Sequence, residues 1–178
     1  VYSVSPLVDD VDGLSGARRY ARSYSVNPPS TISESGDFFF YTYAPVLTLY
    51  ADNVSRAYGD ANPAFSYTVD VNGLVAGDSL AEALSGTVGL STTATAQSDV
   101  GDYAVNVDMS GASSTLGYSF QVLPATGTLT VNQRVLEVTA DNASKTYGDA
   151  NPAFSASVTG GGLAAHHATL GDALVDLG

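Results

Sequence analysis

Cysteine is absent from this chain, lysine occurs once, histidine twice, and no apolar run approaches the ~18 residues of a membrane-crossing helix. The first absence excludes a disulfide framework and any thiolate chemistry. The last predicts no helical membrane insertion in this stretch. No leader-like segment opens the chain, so in an exported protein the stretch would be internal to the mature product. Bases are scarce too: six face eighteen acids, giving a net charge of −12. The acidity is distributed as −2 over 1–45, −6 over 46–134 and −4 over 135–178. Such a field repels phosphate backbones and argues against a nucleic-acid partner. With 44% hydrophobic and 13% charged residues the chain has the composition of a folded protein, long enough for one or two domains.

What the chain does have is a repeat. VLTLYADNVSRAYGDANPAFS at 46–66 returns as VLEVTADNASKTYGDANPAFS at 135–155, a step of 89 residues with 15 of 21 positions identical. Self-similarity at a fixed period marks an array of modules. Residues 46–134 read as one complete module and 135–178 as the N-terminal part of a second, truncated one. Residues 1–45 read as the divergent end of a preceding module or a linker. A half-module leaves unpaired strand edges, so the sequence predicts either a truncation or strands supplied by another chain. Only about three residues, Asn132 to Arg134, separate one module from the next, which restricts how they can swing.

Positions that differ between the copies reveal the faces of the elements. Leu47, Leu49 and Ala51 match Leu136, Val138 and Ala140, while Thr48 and Tyr50 become Glu137 and Thr139, the alternation of a half-buried strand with Leu47 and Leu49 facing the core. Tyr58, Gly59, Asp60, Asn62 and Pro63, and again Tyr147, Gly148, Asp149, Asn151 and Pro152, form a structured loop. Gly permits positive φ there, Asp and Asn bond nearby backbone, and Pro fixes φ. A second strand follows over Phe65–Val71, with Phe154, Ala156 and Val158 in its place in the second copy. Ser79 and Glu82 make a capping box on a short helix closed by Gly86. Strands are then expected over 87–96, 103–109, 118–123 and 128–131, with turn-rich breaks at 98–101 and 110–117. The fold class is α+β, mostly β, each module a mixed sheet with one short helix.

Candidate chemistry is sparse. His166 and His167 lack counterparts in the first copy and read as a solvated loop pair rather than a metal site. Asp9, Asp10 and Asp12 offer the oxygen ligands that calcium takes, but lack the alternating spacing and terminal Glu of an EF-hand loop; an acidic turn is the favoured reading. A Lys to Asn isopeptide would need Lys145, whose position holds Arg56 in the first copy, so the module must hold without one. Arg18, Arg19, Tyr20, Arg22 and Tyr24 gather half of the basic residues beside two tyrosines. Guanidinium forks and aromatic faces are what a sugar or acidic polymer would meet, although the alternation of Tyr20, Arg22 and Tyr24 fits a plain exposed strand better. Phe38 to Tyr41 reads as a strand buried on both faces.

The run TADNASKTYGDANPAF at 139–154 resembles the MBG ("mostly beta-grasp") repeats of bacterial adhesins, and Ser98 to Tyr103 and Gly127 to Val131 resemble that family's distal segments. The resemblance covers about 46–178, and residues 1–45 match it poorly. It departs from the pattern where His166, His167, Ala168 and Thr169 replace a Gly-Asp-Ser-Leu run. It implies tandem beta-grasp-like modules in a large, secreted, filamentous-haemagglutinin-like or biofilm adhesin of the bacterial cell surface. In that family the repeats are stalk elements without catalytic residues or cofactor. The partners it implies are neighbouring modules and a host or matrix polysaccharide or surface protein. The alternative is a carbohydrate-binding module engaging glycan or exopolysaccharide.

Overall fold

The computed structural model describes residues 1–7, 15–123, 127–167 and 169. Among them the chain is mostly β with little helix. The strands are β1 (Tyr2–Ser3), β2 (Ala17–Arg19), β3 (Phe38–Tyr41), β4 (Val46–Ala51), β5 (Val54–Ala57), β6 (Tyr67–Asp70), β7 (Ser85–Thr92), β8 (Gly101–Ser113), β9 (Ser119–Val122), β10 (Gly127–Asn132), β11 (Glu137–Ala140) and β12 (Ala156–Thr159). The helix α1 is one turn, Leu80–Ala83, with 3-10 turns at Pro29–Thr31 and Val71–Gly73. Strand orders are β1-β3-β2, β6-β4-β9, β5-β10-β8-β7 and β11-β12.

Two compact units result. The first comprises 1–52, 65–91 and 105–127; the second comprises 53–64, 92–104 and 128–178. In the first unit β4 is central, antiparallel to β6 (Leu49 opposite Val69) and parallel to β9 (Leu47 opposite Phe120). Its alternation emerges as read: Leu47, Leu49 and Ala51 are buried and Thr48 and Tyr50 are not. The core joins these leucines to Tyr20, Phe39, Tyr41, Val75, Ala83, Leu116 and Tyr118. Three of those side chains come from 1–45, where β3 runs parallel to both β1 and β2 and buries Phe39, Phe40 and Tyr41. Half of the expected capping box forms at α1, where Ser79 Oγ accepts from the Glu82 amide at 3.3 Å, while the Glu82 carboxylate accepts from the Ser79 hydroxyl at 2.6 Å.

In the second unit β5 runs parallel to β10, with Arg56 opposite Val131, and β11 pairs antiparallel with β12. The β11–β12 pair repeats β4–β6 residue for residue: Thr48 faces Asp70 as Glu137 faces Thr159, 89 positions on. The closing bonds repeat too. The Asp52 amide donates to Ser66 O at 2.9 Å, and the Asp141 amide to Ser155 O at the same distance. Ser66 and Ser155 each donate a hydroxyl to the same aspartates, at 2.6 and 2.7 Å.

Several expectations need correction. The break expected at 110–117 begins only after Ser113: a Cβ on Gly111 would press on Thr87 O, so that glycine serves close strand approach rather than a turn. The second strand is shorter than Phe65–Val71, since Asp70 caps a 3-10 turn by accepting from the Asn72 amide at 3.0 Å. Strand β5 was not expected; a Ser-Arg-Ala stretch carries no period-2 apolar signal. In the second copy the corresponding residues 143–146 form no strand.

Candidate functional site

In the first unit Asp78 is the hub. Tyr20 and Tyr118 both donate their hydroxyls to its Oδ2 at 2.7 Å, and Arg18 Nη1 donates to its Oδ1 at 3.3 Å. Arg18 also donates to the Ala76 carbonyl at 2.6 Å, and the Tyr118 oxygen accepts from the Val75 amide at 2.9 Å. The Asp78 side chain is only 5% exposed, so these bonds replace the water it gives up. Burial, and then the bond to Asp78, pushes both tyrosine hydroxyls above their ordinary pKa. The chain reaches this geometry because β2 ends at Arg19 and Ala21 turns it with a φ of 53°, which delivers Tyr20 inward. Tyr41 stacks on the ring at 5.8 Å, and Tyr43 and Tyr118 lie edge-on to it at 6.5 and 5.3 Å.

The second unit builds a comparable arrangement around Tyr58, Gly59 and Asp60. Gly59 adopts a φ of 83°, and a Cβ placed there would overlap Ala164. Arg134 donates to the Tyr58 carbonyl at 2.7 Å, to the Gly161 carbonyl at 2.5 Å, and to the Asp60 carboxylate. The Tyr58 hydroxyl meets His166 Nε2 at 3.1 Å, with the rings edge-on at 5.3 Å. The first copy's Tyr-Gly-Asp turn is therefore clasped by 161–166 of the second. Behind the turn lies Arg56, buried and fully engaged: it donates to Asn62 Oδ1 at 2.8 Å, to Ala57 O at 3.1 Å and to Thr95 O. Asn62 in turn donates to Ala94 O at 2.7 Å.

The loops that receive these turns are also equivalent by the repeat step. The Asp78 amide donates to Val75 O at 3.0 Å, and the His167 amide to Ala164 O at 2.9 Å. Val75 and Ala164 are both buried. On the other side, Arg18-Arg19-Tyr20-Ala21 runs in the order of Arg56-Ala57-Tyr58-Gly59, each with positive φ at its fourth residue. In each unit a Tyr-containing turn packs on the 75–78 or 164–167 loop of the repeat that follows it in sequence.

The remaining expected residues scatter. Arg19 lies 4.9 Å over the Phe38 ring and 3.9 Å from the Glu34 carboxylate. Arg22 is half-buried, and Tyr24 is exposed, edge-on to Tyr2 at 5.4 Å. Tyr20, at 1% exposure, does not share an open strand face with Arg22 and Tyr24, because the φ of Ala21 breaks the alternation on which that reading rested. Asp9, Asp10 and Asp12 lie outside the described residues. Among the described residues no three His, Cys, Asp or Glu side chains converge as a metal would require, and no helix is long and apolar enough to cross a membrane.

In the second copy the turn keeps its backbone. Gly148 has a φ of 94°, and the Asp149 amide donates to Thr146 O at 3.2 Å, as the Asp60 amide does to Ala57 O. Its surroundings differ: Tyr147 is 103% exposed, and a Cβ on Gly148 would meet open space. Lys145 donates to the Asp149 carbonyl at 3.2 Å.

Sequence reasoning missed Asp78, Tyr118 and Arg134. The echo of Arg56–Gly59 in Arg18–Ala21 was the available signal, hidden because Ala stands where the repeat has Gly.

A family model described as the MBG domain, YGX type, matches residues 47–130 and again 136–166. No curated protein and no solved structure matches the chain.

Proposed function

The chain belongs to the MBG domain family of the YGX type, repeat domains of large surface proteins, and on that footing we propose that it is a non-catalytic segment of a bacterial surface adhesin. Its tandem beta-grasp-like modules form a stiff extracellular stalk for adhesion or biofilm formation. The observation that carries this reading is the clasp of Tyr58–Asp60 by Arg134, Gly161, Ala164 and His166. A stalk must transmit position along its length, which needs fixed joints. Here the joint has a three-bond arginine anchor and a glycine against which the next repeat closes, instead of a free linker. The acidic surface favours solubility and discourages lateral association.

Antibodies raised against this chain test the reading. They should label intact, unpermeabilised cells of the source bacterium, and in-frame deletion of the repeat region should lower surface attachment or biofilm mass. Labelling only after permeabilisation would overturn it.

A further inference from the structure

Three Tyr-containing turns recur along the chain, and two of them are covered. Tyr20–Ala21 sits against the loop carrying Val75 and Asp78, and Tyr58–Asp60 against the loop carrying Gly161 to His166. In both cases the covering loop belongs to the repeat that follows. The third turn, Tyr147–Asp149, has the backbone of the second: the same positive φ at glycine and the same 3.2 Å amide-to-carbonyl bond. Its tyrosine is wholly exposed, and Phe154, the counterpart of the half-buried Phe65, is 77% exposed.

We infer that Tyr147–Asp149 is a docking surface for a further copy of the repeat joined in tandem. That copy would seat its small buried residue, at the position of Val75 and Ala164, against Gly148. The occupant is assigned by the two occupied turns. A residue without a side chain is needed at Gly59 because Ala164 closes on it, and Gly148 has the same left-handed backbone with open space where Ala164 sits in the first copy. The inference deepens the stalk reading and rests on it. It makes the YGX turn the half of each joint that the preceding repeat contributes.

The full chain can be lengthened in frame, because residue 178 corresponds to residue 89 by the repeat step. Appending its own residues 90–178 completes the second module and adds the head of a third. Tyrosine nitration read by mass spectrometry should then slow at Tyr147 by about tenfold, and amide exchange over 147–149 should slow with it. Replacing the alanine equivalent to Ala164 in the added copy by Glu should restore the original rates. Unchanged rates at Tyr147 with the β4–β6 amides still protected would overturn the inference. So would protection of Tyr147 that appears in the unextended chain merely on raising its concentration, since that places the contact between molecules. If the added length prevents folding, Gly148→Val grafted into the 178-residue chain supplies the second reading: Gly59→Val should release 160–167 to exchange and Gly148→Val should not, and equal release by both would overturn the inference. A negative cell-labelling result would sink the stalk and leave the docking result standing, so the two failures are separable.

Discussion

Ala164 lies so close to Gly59 that a side chain on the glycine would overlap the alanine methyl. Neither residue carries a functional group, yet their contact fixes where the second copy meets the first copy's turn. The arginine anchor alone would leave this loop free to slide; the steric fit determines its seat.

Gly59→Ala and Gly148→Ala separate sterics from backbone strain. Both positions have positive φ, so each substitution should cost about 1 kcal/mol through the backbone. Only at Gly59 must Ala164 also move, so G59A should cost at least about 1 kcal/mol more than G148A. Limited proteolysis should cut within 160–167 in G59A first. Equal denaturation midpoints and cleavage patterns for the two variants would remove the contact from the account.

Asp78→Ala should destabilise the first unit by about 2 kcal/mol, because it strands the buried Tyr20 and Tyr118 hydroxyls, while Arg18, one-third exposed, keeps water and the Ala76 carbonyl as partners. Asp78→Asn keeps an acceptor for the hydroxyls and should cost about half as much. Urea unfolding of both variants reads the difference, and a null effect for D78A would show that water satisfies these groups.

Arg56→Lys should cost about 2 kcal/mol, since an ammonium cannot span Asn62, Ala57 and Thr95 from a buried position. The mirror substitution Lys145→Arg, on an exposed side chain, should change stability by less than about 0.5 kcal/mol. The pair of melting curves checks both, and similar losses at the two positions would contradict the difference in burial.

Alkaline pH should expose the tyrosine network. Because the folded-state values of Tyr20 and Tyr118 are raised, first by burial and then by the bond to Asp78, their contribution is complete below the ordinary tyrosine value. Above about pH 10 the unfolded chain ionises these tyrosines while the folded one holds its protons, so stability falls as pH rises, by up to 1.4 kcal/mol per pH unit for each. Denaturant midpoints between pH 8 and pH 11, roughly the span that brackets the ordinary tyrosine value, should drop more steeply in the native chain than in Tyr20→Phe.

At the opposite end of the scale, Asp52 is held below the ordinary carboxylate range by bonds from Ser66 and Thr68. Its lowered value places its contribution above the unfolded carboxylate pKa and removes it as pH falls through the folded one. Asp52→Asn should therefore flatten the acid limb of the stability profile, and an unchanged limb would assign that limb to other carboxylates.

Much of the fold was legible in the 21-residue echo. Strand β4, its inward leucines and the positive φ of the turn glycine are written in residues about twenty apart, and the second copy reproduces them, with the β4–β6 register the structure adds, without the first copy's surroundings. Local pairing needs little loop closure, so sequence suffices to specify it. Strand β5 obeys a different rule. Val54 pairs with Leu129, 75 residues away, and the matching residues 143–146 form no strand among the described residues. The same contrast separates Tyr58 from Tyr147 and Arg56 from Lys145: near-identical sequences, one set engaged and one exposed. Burial and parallel pairing are properties of what a segment meets, not of the segment. The sequence thus determined the repeat, its strand faces and its turn geometry. The tertiary structure alone decided that Tyr20 enters the core, that Asp78 gathers its partners, and that the repeated turn is where one repeat closes on the next, because each depends on groups brought from distant parts of the chain.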